Sequence, residues 1–457
     1  MKRFELSELK NGAHIHFIGI GGISMSGLAD IMLEAGYKVT GSDRSSSDIT
    51  KKLEKKGAKV FLGHAAENIA GADLVVHTSA VHEDNPEMAA ALSEKKRRID
   101  RAEFLGAVMK GYKNAIGVSG THGKTTTTSM LAHALIYAEK DPTVSVGGEL
   151  DIIGGNIKAG KSEYFLTEAC EYTNSFLKFF PHVAVITNIE EDHLDFFKDI
   201  DDIVESFRKF ALLTKDEGYV VAWGEDPEIR RALSGTGCNI IYYGLTPDAE
   251  IHPENLIYKS GYPEFDVVRA GKKLCHIRLS VPGEHNVLNA LASVAVCAVY
   301  GIDAEIAAKG VETYKGTHRR FEKMGELNGS NVIADYAHHP TEIRATLSTA
   351  AKFGAKKIWC VFQPHTYSRT RTLWQDFLTC FADADELILA DIFAAREKPD
   401  GVTTSARLAE EISRKGKSTR FIDSFEGIAE FLKENVGDGE MVFLMGAGDV
   451  IDISKLL

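Results

Sequence analysis

The sequence has 457 residues and a formal net charge of -12, with 44% hydrophobic and 26% charged residues. At roughly 100–200 residues per domain, this length predicts two to four domains that can each bury a core. An acidic chain lacks the broad basic surface of nucleic-acid-binding proteins. No run approaches the ~18 apolar residues of a membrane-spanning helix, and no apolar leader precedes the first motif, so we expect a cytoplasmic protein without a membrane partner. The six cysteines form no CxxC pair, which predicts free thiols.

Short apolar runs alternate with helical stretches along the chain, and this rhythm is typical of α/β domains with parallel sheets. Strands that end in glycine turns open the first two parts, at His14 and Ala115. A third set of predicted strands follows Arg319, at residues 331–335, 357–362, 386–391 and 441–445. We therefore predict three domains, which comprise residues 1–107, 108–316 and 317–457.

The first glycine turn is Gly19-Ile-Gly21-Gly22-Ile-Ser24, between a strand and a helix that begins near Met25. Asp43 ends the next strand about 20 residues further on, as in Rossmann-type turns that bind a diphosphate at a helix N-terminus and a ribose through an acid. Ser24 occupies the last glycine position of that pattern, which favours a diphosphate nucleotide other than a dinucleotide. A turn without a ligand is the alternative, and an oxidoreductase finds no support further along the chain.

The second glycine turn, Gly120-Thr-His-Gly123-Lys124-Thr125-Thr126, is a shortened P-loop. Backbone amides of such a loop hold phosphate oxygens, while the lysine reaches the β- and γ-phosphates and the threonine hydroxyl binds magnesium. Its position between an apolar strand and a helix strengthens the interpretation. The sequence therefore predicts an ATP site here.

Polar groups follow two further predicted strands. Glu168 and Glu171 end the first, and the second runs through Asn188 to Glu190, Asp192 and His193. Ligands bind at the carboxyl ends of strands in open α/β sheets, and carboxylates suit magnesium. We therefore predict a metal site beside the P-loop, with solvated strand ends as the alternative.

Four later segments carry polar groups without an obvious structural need. Residues 282–290 open a helix with Asn286 and Asn289, whose alternative role is a solvent-facing cap. Residues 316–322 form a predicted hinge with two arginines that could hold phosphate, Arg319 and Arg320. Residues 335–340 and 363–371 place histidine, tyrosine and arginine at strand ends.

Together these segments resemble the Mur ligase family. The matching stretches are HFIGIGGISMSGLA, SGTHGKTTTTSM, EACEYTNSFL, TNIEEDH, PGEHNVLNALA, GTHRRFE, DYAHHPTEI, QPHTYSRTRT, AREKPDG and GAGD, in family order between residues 16 and 449. The resemblance implies a Rossmann-like domain that binds the UDP substrate, a central P-loop ATPase domain and a Rossmann-like C-terminal α/β domain. It also implies an ATP-dependent ligase that joins L-alanine to the carboxylate of UDP-N-acetylmuramate through an acyl phosphate, in peptidoglycan precursor synthesis.

The resemblance also implies roles for individual residues. The UDP moiety would lie on Gly19, Gly21, Gly22, Ser24, Met25, Ser26, Asp43, His64 and Ser79. ATP would contact Gly120, Thr121, His122, Gly123, Lys124, Thr125, Thr126, Asn286 and Tyr336. Magnesium, or manganese in its place, would bind Thr125, Glu168 and His193. The amino acid would meet Tyr336, His338 and Arg369 beside Asp335, with Lys124, Arg320 and His338 as the catalytic groups.

The resemblance leaves open the role of one glutamate, the choice between two related ligases and the oligomeric state. Many family members have EADESD where this chain has EACEYT, which leaves the role of Glu171 undefined. A related ligase attaches a ready-made tripeptide to the same nucleotide and is the alternative function, although QPHTYSRT favours the enzyme that adds alanine. The chain could act as a monomer or as a homodimer.

Overall fold

The computed structural model describes residues 4–78, 80–194, 196–214, 217–395 and 397–457. Three sheets of five, ten and six strands follow one another along the chain. Helices flank each sheet, so the predicted three-part α/β fold is confirmed. The proposed domain boundary near residue 108 falls within the helix Arg101–Met109, and the one near residue 316 falls between the helix Ala304–Glu312 and the strand Glu322–Leu327.

The first sheet is entirely parallel, in the order β3-β2-β1-β4-β5. Its strands are β1 (His14–Ile18), β2 (Lys38–Asp43), β3 (Lys59–Leu62), β4 (Leu74–His77) and β5 (Arg97–Asp100). Its helices are α1 (Ile23–Glu34), α2 (Asp48–Lys55), α3 (Pro86–Ser93) and α4 (Arg101–Met109). All five residues of β1 are buried because helices cover both faces. The strand order reverses beside β1, which opens a crevice at the carboxyl ends of the strands.

The second sheet is mixed, in the order β15-β14-β13-β12-β11-β10-β6-β9-β7-β8. Its strands are β6 (Asn114–Ser119), β7 (Thr143–Leu150), β8 (Gly155–Lys158), β9 (Tyr164–Glu168), β10 (Val183–Ile186), β11 (Tyr219–Trp223), β12 (Asn239–Tyr243), β13 (Ile251–Lys259), β14 (Tyr262–Arg269) and β15 (Lys272–Arg278). Its helices are α5 (Lys124–Tyr137), α6 (Ile200–Ala211), α7 (Pro227–Leu233), α8 (Glu284–Val299) and α9 (Ala304–Glu312).

The second sheet also contains antiparallel strands. β13, β14 and β15 form an antiparallel meander, and β8 pairs antiparallel with β7. The two meander turns contain only Ser260-Gly261 and Ala270-Gly271, all four with positive φ. Two-residue turns of this kind match the twist of antiparallel strands and therefore produce hairpins.

The third sheet has the order β16-β17-β21-β18-β19-β20 and is parallel except for the β16–β17 hairpin. Its strands are β16 (Glu322–Leu327), β17 (Ser330–Asp335), β18 (Ile358–Phe362), β19 (Glu386–Leu389), β20 (Thr419–Phe421) and β21 (Met441–Met445). Its helices are α10 (Pro340–Ala351), α11 (Tyr367–Thr372), α12 (Trp374–Phe377), α13 (Ser405–Arg414) and α14 (Phe425–Asn435).

The cores show how the three parts are joined. One apolar cluster runs from the first sheet into the second and includes Phe17, Phe104, Phe165 and Phe210. The third part has its own two clusters, one on each face of its sheet. Its polar contacts with the second part, described below, lie at the carboxyl ends of the strands. Within the described ranges, the structure contains no helix of the length and apolarity that a bilayer crossing requires.

Candidate active site

The P-loop follows β6 and caps α5. Gly120 has φ +140° and Gly123 has φ +81°, conformations that favour glycine. A side chain on Gly120 would overlap the Thr187 hydroxyl, since the loop lies directly against the end of β10. Asn188 fixes the loop from that side, because its side-chain oxygen accepts a 2.7 Å hydrogen bond from the backbone N–H of His122. The residues that follow β10 therefore hold the loop in its conformation.

Lys124 is the first residue of α5 and pairs with Glu171. Its ammonium lies 3.0 Å from both carboxylate oxygens of Glu171 and also donates to the carbonyl oxygens of Gly120 and Thr121. Both side chains are largely buried, with exposures of 18% and 4%. Burial opposes the charge, but Glu171 holds the pKa of Lys124 above its usual value. Glu171, whose role the sequence left undefined, thus neutralises the P-loop lysine.

Glu168, at the end of β9, faces the P-loop threonine. Its carboxylate accepts a 2.5 Å hydrogen bond from the backbone N–H of Gly147 and another from the Thr125 hydroxyl. Burial raises the pKa of Glu168 in spite of these bonds. A carboxylate and a hydroxyl at this position, with negative charge incompletely compensated, suit a hard divalent cation.

His193, the third predicted metal ligand, adjoins Glu171. Its Nε2 lies 3.8 Å from a Glu171 oxygen and 3.8 Å from an Asp192 oxygen. Its backbone has φ +54°, an uncommon conformation for a residue with a side chain. Thr125 and Glu168 are therefore direct neighbours. His193 is linked to them only indirectly, through Glu171 and Lys124.

The two asparagines at the start of α8 are buried, so the alternative of a solvent-facing cap is wrong. The Thr127 hydroxyl donates to Asn289 at 3.0 Å, and the Asn289 amide donates to Asn286 at 3.0 Å. Asn286 in turn donates to the carbonyl of Pro282 at 2.6 Å. This chain of bonds attaches α8 to the P-loop helix. A cavity of about 230 Å³ lies between the two helices and reaches Asn286, Gly123 and Thr126.

The two hinge arginines have different surroundings. Arg319 donates to the carbonyls of Gly446 and Gly448 at 2.7 and 2.8 Å and therefore belongs to the C-terminal sheet. Arg320 lies 3.8 Å from Glu342 and lines two cavities, one with the P-loop and one with α1. Arg320 therefore borders the P-loop cavity, whose lining does not include Arg319.

His338 and Arg369 lie where the second and third parts meet. His338 is bonded through Nδ1 to the Tyr336 carbonyl at 3.0 Å, and burial lowers its pKa to about 4. Arg369 donates to Asp192 at 3.0 Å and lines a cavity of about 520 Å³ together with His193. Neutral His338 can accept a proton, and Arg369 offers a planar cation for a carboxylate.

The first glycine turn is held by the predicted acid. The Asp43 carboxylate accepts a 2.8 Å hydrogen bond from the backbone N–H of Gly21, which a side chain on Gly21 would obstruct. Ser26 donates to the Ile23 carbonyl, and the Met25 side chain is 1% exposed, so Met25 can reach a ligand only through its backbone. Gly19 donates to the Ser42 carbonyl at 2.8 Å. The remaining predicted UDP residues of the turn, Gly22 and Ser24, lie at its exposed and half-exposed edge, and Ser79 lies outside the described residues.

His64 belongs to a buried network that the sequence did not indicate. Its Nδ1 lies 3.0 Å from the Ser42 hydroxyl and 3.3 Å from Glu87. Glu87 is fully buried and also accepts from Ser42 and Asn68, both at 2.6 Å. No local motif marks Glu87, because its partners are distant in sequence.

The three parts converge on a cavity of about 820 Å³. Ser26 and Asp30 of α1 line it on one side, and Thr125 and Glu168 on another. Arg320 lies with them, and Tyr336 and Arg319 complete the lining from the C-terminal part. Tyr336 therefore lies on this cavity rather than on the smaller one beside Asn286. A long substrate could extend from the first glycine turn to the P-loop.

Three domains of one known family match successive parts of the chain. Residues 14–113 match the Mur ligase family catalytic domain, residues 118–297 the Mur ligase middle domain, and residues 319–448 the Mur ligase glutamate ligase domain. Relatives named UDP-N-acetylmuramate–L-alanine ligase are 50% identical over 454 residues in Clostridium botulinum (99% of both chains) and 50% identical over 452 residues in Clostridium acetobutylicum (98% of both chains).

Solved structures agree with these matches. A UDP-N-acetylmuramate-alanine ligase from Thermotoga maritima is 31% identical with a TM-score of 0.78, covering 97% of each chain. A murein peptide ligase from Psychrobacter arcticus is 25% identical with a TM-score of 0.69, covering 98% of each chain. Since the similarity extends over all three sheets, the chain belongs to the Mur ligase family.

Proposed function

We propose that this protein is an ATP-dependent ligase that joins L-alanine to the carboxylate of UDP-N-acetylmuramate. The observation that carries the proposal is the cavity of about 820 Å³, which extends from α1 to Thr125, Glu168 and Arg320. The full-length relatives are named for this reaction. Because ATP and a nucleotide-linked sugar are the substrates, we place the reaction in the cytoplasm.

The reaction requires an activated carboxylate, since a free carboxylate has no usable leaving group. Attack of the carboxylate oxygen on the γ-phosphorus of ATP forms an acyl phosphate and releases ADP. The amine then attacks the acyl carbon, and phosphate leaves with one oxygen of the original carboxylate. Phosphoryl transfer asks the protein mainly for alignment and neutralisation of charge.

Lys124 would supply part of that neutralisation. In the structure Glu171 holds its ammonium at 3.0 Å, at the mouth of the P-loop. A γ-phosphate would accept from the same ammonium, while Glu171 keeps the lysine protonated and directed toward the loop. Arg320 would neutralise the other side of the transferred group from the shared cavity wall.

Magnesium fits the residues present. Thr125 and Glu168 already adjoin through a hydrogen bond, and burial leaves the Glu168 charge poorly compensated. These two residues would hold the ion, with His193 close to them. When bound, magnesium supplies positive charge to the phosphate oxygens.

His338 would orient the incoming amine by accepting a hydrogen bond from it. Its lowered pKa of about 4 leaves the imidazole neutral at physiological pH. Arg369 would hold the amino-acid carboxylate from the adjoining cavity, where Asp192 occupies it in the structure. A small amino acid between these two groups would have its amine directed toward the acyl phosphate.

An isotope experiment tests the proposal. UDP-N-acetylmuramate with ¹⁸O in its carboxylate should give inorganic phosphate that carries one ¹⁸O, together with UDP-N-acetylmuramoyl-L-alanine by mass spectrometry. Phosphate without ¹⁸O would mean that no acyl phosphate forms. Absence of the alanyl product would refute the ligase assignment.

A further inference from the structure

A cluster of histidine and glutamate side chains joins the P-loop to the C-terminal part, and its side chains carry out no chemical step of the proposed reaction. His122 of the P-loop, Glu190 after β10 and His339 before α10 offer ligand atoms that all lie within 4.8 Å of one another. The two imidazole rings lie 4.7 Å apart. His122 and His339 are largely buried, with side-chain exposures of 12% and 7%.

His122 uses one nitrogen for a polar contact and directs the other into the cluster, whereas both nitrogens of His339 have hydrogen-bond partners. His122 has Nδ1 3.2 Å from the Glu342 carboxylate, and its Nε2 is buried without a hydrogen-bond partner. His339 donates through Nε2 to the Glu191 carbonyl at 3.2 Å. Histidines that bind metals are oriented by such bonds from the second nitrogen to a carboxylate or carbonyl.

The remaining atoms point toward one centre. His122 Nε2 lies 3.5 Å, and His339 Nδ1 3.8 Å, from the same oxygen of Glu190. The Thr341 hydroxyl orients that carboxylate with a 2.6 Å hydrogen bond. His339 Nδ1 accepts a single long bond, 3.4 Å from the Thr341 backbone N–H, which a metal bound at this nitrogen would replace.

The donor set distinguishes this cluster from the magnesium residues. Two imidazole nitrogens and one carboxylate oxygen are the ligands of zinc-type sites that keep a fourth position open. Thr125 and Glu168 offer oxygen only, and His193 is the one imidazole among the proposed magnesium residues. Burial opposes charge on His122, but Glu342 and Glu190 raise its pKa to about 9, so an incoming metal displaces a proton. The carboxylates that favour that proton also attract a divalent cation.

We propose that His122 Nε2, Glu190 and His339 Nδ1 form a binding site for zinc or a similar transition metal, separate from the magnesium residues. His122 and Glu190 come from the second part of the chain, and His339 comes from the third. A bound metal therefore holds the P-loop against the start of α10. Because His122 and Glu190 also line the cavity beside Asn286, metal binding hinders entry of the nucleotide.

Cobalt spectroscopy on the full chain tests the site without relying on activity. Four-coordinate Co²⁺ absorbs strongly in the visible region, whereas six-coordinate Co²⁺ absorbs weakly. We expect one equivalent of Co²⁺ to give the strong spectrum in the presence of excess Mg²⁺, and Zn²⁺ to displace it. His339→Gln should weaken Co²⁺ binding at least tenfold while activity with Mg²⁺ is retained, and Zn²⁺ inhibition of the wild type should be relieved to a similar extent.

Two control variants distinguish this site from the magnesium residues and from metal binding by histidines elsewhere in the chain. Glu168→Gln, which alters the proposed magnesium residues, should leave the Co²⁺ spectrum intact. His252→Gln, at a buried histidine whose Nδ1 lies 3.0 Å from the Ala249 carbonyl in the second sheet, should bind Co²⁺ like the wild type. If His339→Gln does not fold, Glu190→Gln should show the same loss. Wild-type protein without the strong spectrum, or unchanged Co²⁺ binding in folded His339→Gln or Glu190→Gln, would overturn the proposal.

Discussion

Replacement of the P-loop lysine should affect stability as well as catalysis. In Lys124→Met the Glu171 carboxylate, 4% exposed, loses the ammonium 3.0 Å from both of its oxygens. A buried charge left without its partner costs roughly 3–5 kcal/mol. Because the lysine itself is 18% exposed, water can partly solvate the site, and we expect the free energy of unfolding to fall by about 3 kcal/mol.

The double variant Lys124→Met, Glu171→Gln removes the uncompensated charge. We expect it to recover about 2 kcal/mol relative to the single variant, since a neutral amide costs less to bury than a carboxylate. Both variants should lose phosphoryl transfer by a factor of about 1000, the scale for a group that stabilises developing charge. Both should still bind UDP-N-acetylmuramate, because the first glycine turn is unchanged.

Urea unfolding without nucleotide, a phosphate-release assay and titration calorimetry with UDP-N-acetylmuramate measure the three effects. The Glu171→Gln single variant completes the cycle and isolates the interaction energy of the pair. If Lys124→Met is as stable as the wild type, or if the double variant is no more stable than Lys124→Met, the buried ion pair does not act as described. Retained phosphate release in Lys124→Met would refute the P-loop assignment.

Three further predictions concern the contacts between the parts and the buried histidines. Gly27→Ala should destabilise the protein by about 2 kcal/mol in calorimetry and raise the KM for UDP-N-acetylmuramate, because the new methyl group overlaps Ile157 across the cavity wall. Gly27→Ala combined with Ile157→Ala should recover only part of both, because the Cβ of residue 157 still lies 2.5 Å from the new methyl group. Arg369→Lys should raise the KM for the amino acid at least tenfold with little change in the KM for ATP, since lysine cannot reproduce a bidentate bond, and equal effects on both constants would contradict the role. Burial lowers the pKa values of His133 and His338 to about 4. Between pH 6.5 and 4 these two histidines are therefore protonated in the unfolded chain but remain neutral in the folded chain. Unfolding free energy should therefore fall between pH 6.5 and 4, by on the order of 3 kcal/mol for each histidine, and His133→Gln should flatten that dependence.

The sequence predicted those features that are local. The P-loop and the first glycine turn were identified because a few consecutive residues define both the backbone conformation and its ligand. Four of the six strands of the C-terminal sheet were predicted to within a few residues, since strands covered on both faces read as continuous apolar runs. The edge strands β16 and β20 were not predicted. The antiparallel meander was missed, although Ser260-Gly261 and Ala270-Gly271 are turn sequences.

The sequence could not predict pairings between distant residues. Glu171 lies in a family motif, but only the fold shows that it neutralises Lys124. Glu87 is the second residue of α3, and no motif in the neighbouring sequence indicates a role for it. In the fold it is buried and contacts Ser42, His64 and Asn68. Arg319 and Arg320 are neighbours with the same chemistry, and their different roles depend on carbonyls more than 120 residues away.

The central claim is best tested by phosphate release from ATP and Mg²⁺ with UDP-N-acetylmuramate, supplying L-alanine, glycine, L-serine or the stem tripeptide in separate reactions. We predict rapid release with L-alanine, slower release with glycine and L-serine, and little with the tripeptide. Release with the tripeptide alone would assign the protein to the recycling reaction, and no release with any of them would contradict the proposed ligase activity.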